Sequence, residues 1–484
     1  MLFAQKKGEG KFMKKKLLVS IALIAMLAVT TFMVFRGRST SAPSLIYNPA
    51  IYKDEFAEAA DFETTGEPLD DPVPFWVDMV NAENYNGGEG IYIAVLDTGL
   101  MPGYWPFFFP DTMVDIKEEW GKGWSYDVVW NPGINDFDWT ENPTRGYLTG
   151  PGGSGHGTHV TSTIVGYNFN NIMWVKGVAP KVTIIPVLVL DTWLLDCPDP
   201  SYPGCYDGKV LFRGGDDWMI ASGIYYIADL AESEGIRIII NMSLGGPDPM
   251  PIIEEAINYA ISKGVIVCAS AGNRYEAQMG WPGAYPQVIS SAAGGWTEGW
   301  ITRPPQTRWW LNDVTEKYNT KDYWGNNWQI FLEDFSSRPN RDLGQDWKDL
   351  DVCTPGAAVV GPYDPEVYWT GTQWYDGGPG YYYLWGTSMS VPHTCGIAAA
   401  VLEQHPDFNQ FDVQYALKAG AKLLPLPSNA GASPAFALDS TPWYFWWDDH
   451  DYGSGFLTLD NALFGAFVYS RGGLNSRGKA FIPT

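Results

Sequence analysis

Short, almost purely apolar runs recur along this chain, and stretches of helical periodicity lie between them. The runs are Ile91 to Leu96, Val182 to Leu190, Ile236 to Met242, Gly264 to Ala269 and Val288 to Ala293. Each has strand length and no polar alternation, so each expects to be buried on both faces. The intervening helices are read at His156 to Val165, Trp218 to Glu234 and Ile252 to Lys263, and another runs from Ser388 through Glu403. Ile252, Ala256, Tyr259 and Ala260 share one helical face. Strands alternating with amphipathic helices specify an α/β fold, a mostly parallel central sheet covered on both sides. In the last helix, Gly396, Ala398, Ala399 and Ala400 are small enough for close packing in the core, and Pro392 is read as tolerated near the helix start, where amides lack partners.

Three stretches interrupt this frame as large surface-loop insertions: 100 to 150, 191 to 215 and 296 to 350. The first is rich in Pro, Gly and aromatics, the second holds the Cys197/Cys205 loop, and the third is polar, acidic and Trp-rich. Loops of that length are usually functional or locally folded. The aromatic side chains are expected to pin these loops or to line a groove. Cys197 and Cys205 flank a turn-rich segment and are expected to form a disulfide. Cys268, Cys353 and Cys395 sit in apolar settings and read as buried free thiols.

The chain carries a net charge of -24. No Lys/Arg cluster follows the first 40 residues, which argues against nucleic acid as a partner. Lys6, Lys7, Lys11, Lys14, Lys15 and Lys16 precede an apolar run from Leu17 to Phe35, long enough to cross a bilayer as a helix. Residues 1–38 are therefore read as a cytoplasmic basic segment with a signal anchor or signal peptide. Residues 39–75 read as an acidic linker or arm, 76–470 as the main domain and 471–484 as a tail. Both export readings place the domain outside the cytoplasm, membrane-anchored or secreted.

The chemically loaded residues stand at the ends of the predicted elements. Asp97-Thr98-Gly99 closes the first strand, and active groups collect at the carboxyl edge of parallel strands. His156 lies between Gly155 and Gly157, Asn273 follows Ala271-Gly272, and Ser388 lies within Gly386-Thr-Ser-Met-Ser-Val-Pro-His393. A serine at a helix start gains nearby exposed amides and a positive dipole end. Singly, these residues read as helix caps, turn formers or structural histidines. Together they supply a nucleophile, a base, an orienting carboxylate and an oxyanion donor, the parts of acyl transfer.

Over roughly 76 to 466 the chain resembles the subtilisin-like serine proteases, the subtilases. The resemblance rests on Asp97-Thr98-Gly99, on His156-Gly-Thr-His-Val160, on the serine octapeptide and on Ser243-Leu244-Gly245-Gly246, with smaller matches at Gly177 to Pro180, Phe335 to Arg338, Thr354 to Gly356 and Tyr452 to Gly455. It implies a three-layer αβα subtilisin-like fold. It further implies a serine endopeptidase in which Asp97 orients His156, His156 activates Ser388, and Asn273 with the Ser388 amide receives the oxyanion. His159 is then a structural neighbour, and Ser243 to Gly246 pairs with an extended polypeptide substrate. No cofactor is required for that chemistry. Structural calcium is an expectation of the resemblance, with the Asp-rich loops 134 to 140 and 311 to 322 as ligand sources and no defined metal residues. The Asp97 to His156 interval is long for the family, and no prodomain is evident. The alternative is a catalytically inactive subtilase-like binding or scaffold domain.

Overall fold

The computed structural model describes residues 73–171, 173–296, 330–375, 378–426 and 447–471. The basic segment, the Leu17 to Phe35 run, most of the acidic arm, the 311 to 322 loop and the tail from 472 lie outside the described residues. Among the described residues, no helix is long and apolar enough to cross a membrane.

Six parallel strands form the centre of a ten-stranded sheet: β1 (Ile91–Asp97), β2 (Thr183–Leu188), β3 (Arg237–Met242), β4 (Ile266–Ser270), β5 (Ile289–Trp296) and β6 (Val352–Pro355). β1 lies between β2 and β3, and β4, β5 and β6 continue outward from β3. The five apolar runs thus become the five strands β1 to β5, with ends shifted by a few residues at most except where Trp296 extends β5. Their side chains are buried almost throughout, as double-sided burial requires. Ile239 and Ile240 point to opposite faces of β3 and both are fully covered. Each such side chain contributes about 1.5–3 kcal/mol of burial free energy.

The covering helices are α1 (His156–Val165), α2 (Asp217–Glu234), α3 (Pro251–Ser262), α4 (Thr387–Gln404), α5 (Gln410–Ala421) and α6 (Leu459–Ser470). α1 packs with α4, α2 with α3, and α5 with α6, so helices flank the sheet on both sides in an αβα arrangement. Asp216 caps α2 by accepting from the Met219 N–H at 2.9 Å, and left-handed Gly235 ends it. α4 is buried from Thr387 to Leu402. A helix buried on every face belongs in the middle of a molecule, and Gly396, Ala398, Ala399 and Ala400 let neighbours close on it.

The first two insertions are locally folded, and residues 297–329 of the third lie outside the described residues. Lys122–Asn131 pairs with Asp136–Arg145, and Asp191–Asp196 pairs with Lys209–Gly214, each as an antiparallel hairpin. A satellite core joins them, with Phe137 edge-on to Trp130, Tyr202 and Phe212 at ring distances of 5.0, 5.4 and 5.5 Å. Tyr206 stacks on Trp369 of a further small hairpin at 5.5 Å. Here the aromatic residues pin loops.

The Cys197–Cys205 bridge is corrected. Both thiols are free, and the Cys205 thiol donates to the Cys197 carbonyl at 3.5 Å. The loop closes without a covalent clip, through Cys197 N–H to Gly208 O and Tyr206 N–H to Lys209 O, both 2.7 Å, and through the aromatic cluster. Cys268, Cys353 and Cys395 are buried and free, as read.

Candidate active site

Asp97 ends β1 and is fully buried. Its Oδ1 accepts the Thr98 N–H at 2.7 Å and lies 2.8 Å from His156 Nδ1. His156 opens α1, directly above the strand end. Gly157 permits the approach: a Cβ there would stand 2.5 Å from Gly99 O and 3.2 Å from the Asp97 Cβ. Thr98 Oγ1 accepts from Gly157 N at 3.0 Å and donates to Ser154 O at 3.1 Å, clamping the turn that delivers the histidine.

The His156 side chain is 14% exposed. Burial disfavours its imidazolium, yet the Asp97 carboxylate and its hydrogen bond outweigh that and raise the ring above its ordinary value. His159, one turn on, behaves oppositely. It is fully buried, its Nε2 lies 3.2 Å from Val359 O, and burial pushes it down to about 3, so it stays neutral.

Ser388 is the second residue of α4. Its carbonyl would normally accept from the amide four residues on, but that residue is Pro392, which has no N–H. Ser243 Oγ donates to Ser388 O instead, at 2.8 Å. The reading of Pro392 is corrected accordingly. It stands beyond the first turn, and a side chain from the end of β3 replaces the bond it removes. The Ser388 hydroxyl donates to Ser243 O at 3.2 Å, and Asn241 Nδ2 donates to Ser243 Oγ at 3.0 Å.

Asn273 follows β4. Its Oδ1 accepts from both the amide and the hydroxyl of Thr387, at 2.8 and 2.9 Å. Those two hydrogen bonds orient the side-chain amide, with Nδ2 beside Gly386 at the head of α4. Sequence reasoning missed Thr387 in this role, although it stands inside the serine octapeptide. It also missed Ser243 as the partner of the Pro392 gap.

The site forms two bonded groups at one sheet edge, Asp97 with His156, and Ser388 with Ser243, Thr387 and Asn273. β1 pairs with β3 at Val95 and Asn241, and the same register continued sets Asp97 opposite Ser243. α1 and α4 are packed against each other. No hydrogen bond links His156 to Ser388 here, since the hydroxyl is turned to Ser243. Such bonds are often long without substrate.

Ser243 and Leu244 are buried, and Gly246 exchanges backbone bonds with Trp281 at 2.7 and 2.9 Å. Gly245 uses neither its N–H nor its carbonyl among the described residues, leaving an edge on which an extended chain can add.

The 134 to 140 carboxylates do not gather into a cation site. Asp136 accepts from Tyr202 OH at 2.9 Å and Asp138 from Asn131 at 2.6 Å. Among the described residues, the one group within ligand reach is Asp448, Asp449 and His450, all exposed. Two carboxylates side by side are ligands of the type calcium takes, and its six to eight oxygens would need others to join them.

The Subtilase family profile matches residues 88–439. "Subtilisin" from Bacillus sp. (strain TA39) is 29% identical over 339 residues, covering 68% of this chain and 60% of that protein. Subtilisin BL from Lederbergia lenta is 26% identical over 356 residues, 73% of this chain and 92% of that protein. Among solved structures, the S41 psychrophilic protease aligns with a TM-score of 0.50 at 26% identity, over 81% of this chain and 99% of that one. The parallel αβα architecture and this match over most of its length establish that the chain belongs to the subtilase family and is classed with its serine endopeptidases.

Proposed function

We propose that the protein is an exported endopeptidase that hydrolyses polypeptides through an acyl-enzyme. In this reading His156 takes the Ser388 proton as the oxygen attacks a peptide carbonyl. Asp97 holds the tautomer with the proton on Nδ1 and stabilises the imidazolium. The tetrahedral oxyanion is received by Asn273 Nδ2 and the Ser388 N–H. His156 then protonates the leaving amine, and water releases the acyl group. The observation that carries the reading is the 2.8 Å contact between buried Asp97 and His156. A peptide adding along Gly245 also brings amides that compete for the Ser243 carbonyl, freeing the Ser388 hydroxyl for His156.

The chemistry needs no cofactor. Export rests on Leu17 to Phe35, as a retained anchor or a cleaved signal, and structural calcium rests on the Asp-rich 311 to 322 segment; both lie outside the described residues. The test compares the full-length protein with Ser388→Ala on a diverse peptide library. Cleavage by the first and none by the second is expected. A wild-type protein that cuts no peptide returns the reading to a binding or scaffold domain.

A further inference from the structure

We infer that Arg274 is a specificity determinant, drawing an acidic side chain into the slot beside the oxyanion site, so that peptides are cut preferentially after Glu or Asp. This rests on the peptidase reading above. The slot has two walls, Ser243 to Gly246 and Ala271 to Arg274. Its floor is Met279 to Trp281, bonded to both walls by Gly246 N–H to Trp281 O at 2.7 Å, Trp281 N–H to Gly246 O at 2.9 Å and Gly280 N–H to Ala271 O at 2.8 Å. A Cβ built on Gly280 would stand 3.5 Å from Gly246 O, 3.7 Å from Ala271 O and 3.8 Å from Gly272 Cα, so the floor faces the space between the walls. A Cβ built on Gly245 would stand 3.2 Å from Trp281 O, so a side chain there would press on the floor.

The residues of floor and walls other than Arg274 are uncharged. Arg274 follows Asn273 directly, and its backbone N–H is anchored to Ser337 Oγ at 2.9 Å. Its Nη2 is buried and finds no acceptor, and the residue makes no ion pair among the described residues. Among the described residues, the acidic neighbour that acts on it is Asp248, past the outer end of the opposite wall, exposed and outside ion-pair distance. A half-buried guanidinium with an unused donor is costly alone. A carboxylate arriving in the slot supplies acceptors in the geometry that a guanidinium fork matches. An apolar side chain leaves the donor unsatisfied, and a lysine adds like-charge repulsion.

The test uses full-length protein and one peptide series that differs only at the residue before the cut bond: Glu, Gln, Leu or Lys. The Glu peptide is expected to exceed the Gln peptide in kcat/KM by about 10-fold or more, the scale of one partly shielded charge pair, with Lys the poorest. Arg274→Gln brings the Glu-to-Gln ratio close to one, and Arg274→Glu reverses the order of Glu and Lys. A wild-type Glu-to-Gln ratio of one or less overturns the inference, whether or not the variants fold. A ratio that survives Arg274→Gln also overturns it. Cleavage of the Leu and Gln peptides that disappears in Ser388→Ala keeps the peptidase reading standing in either case. Cleavage of none removes both.

Discussion

The contact between Asp97 and His156 sets how the site responds to pH. Burial opposes a charged ring and Asp97 favours it, with Asp97 prevailing. Since His156 acts as a base only when neutral, kcat/KM should rise with pH through a half-point above the ordinary histidine value of 6.5. Asp97→Asn removes the raising influence and leaves burial, so the half-point should fall, with a roughly 10⁴-fold loss in kcat from the wrong tautomer. A pH–rate series on both proteins checks this, and an unmoved half-point contradicts it. Asp97, His156 and Ser388 were legible in the sequence because each sits in a contiguous string whose glycines serve close approach. Thr387 as the partner of Asn273, Ser243 as the partner of the Ser388 carbonyl, and Arg274 were not. Their parts depend on which loop packs against which, and a lone arginine beside an asparagine carries no pattern of its own.

At the scale of elements, the strands and helices of the core were readable to within a few residues at most ends, since double-sided burial leaves an unbroken apolar signature. Pro392 shows where such reading stops. The proline was visible, but its consequence, an unpaired Ser388 carbonyl met by Ser243, needs β3 and α4 side by side. Ser243→Ala leaves that carbonyl and Asn241 Nδ2 without their partner in a fully buried setting. It should cost about 1–3 kcal/mol of unfolding free energy, measured by denaturant titration. A change within error would mean that the helix absorbs the gap by itself. The hairpins in the insertions escaped sequence reading because their aromatics face a small satellite core, and their alternation is broken by Gly, Pro and Asp.

Across the whole molecule, a parallel-sheet core carries the site, and hairpins with their own packing border the segment leading to His156. Gly155 N–H bonds Asp364 O at 2.8 Å, and Val367 N–H bonds Gly152 O at 3.1 Å, tying that segment to the loop after Tyr363. Phe137 is the buried centre of the satellite core, separate from the main one. Phe137→Ala should weaken that region by about 3 kcal/mol. The loss should appear as faster limited proteolysis between 191 and 214, with the global denaturation midpoint little changed. A matching global loss would show that the two cores unfold as one.

The most direct measurement of the central claim is covalent labelling of the native protein with an organophosphorus fluoride, which reacts with activated serines, followed by peptide mass mapping. The account predicts one adduct, on Ser388, formed at a rate that rises with pH as His156 loses its proton and abolished in His156→Ala. An unlabelled Ser388, or labelling indifferent to His156, would contradict it.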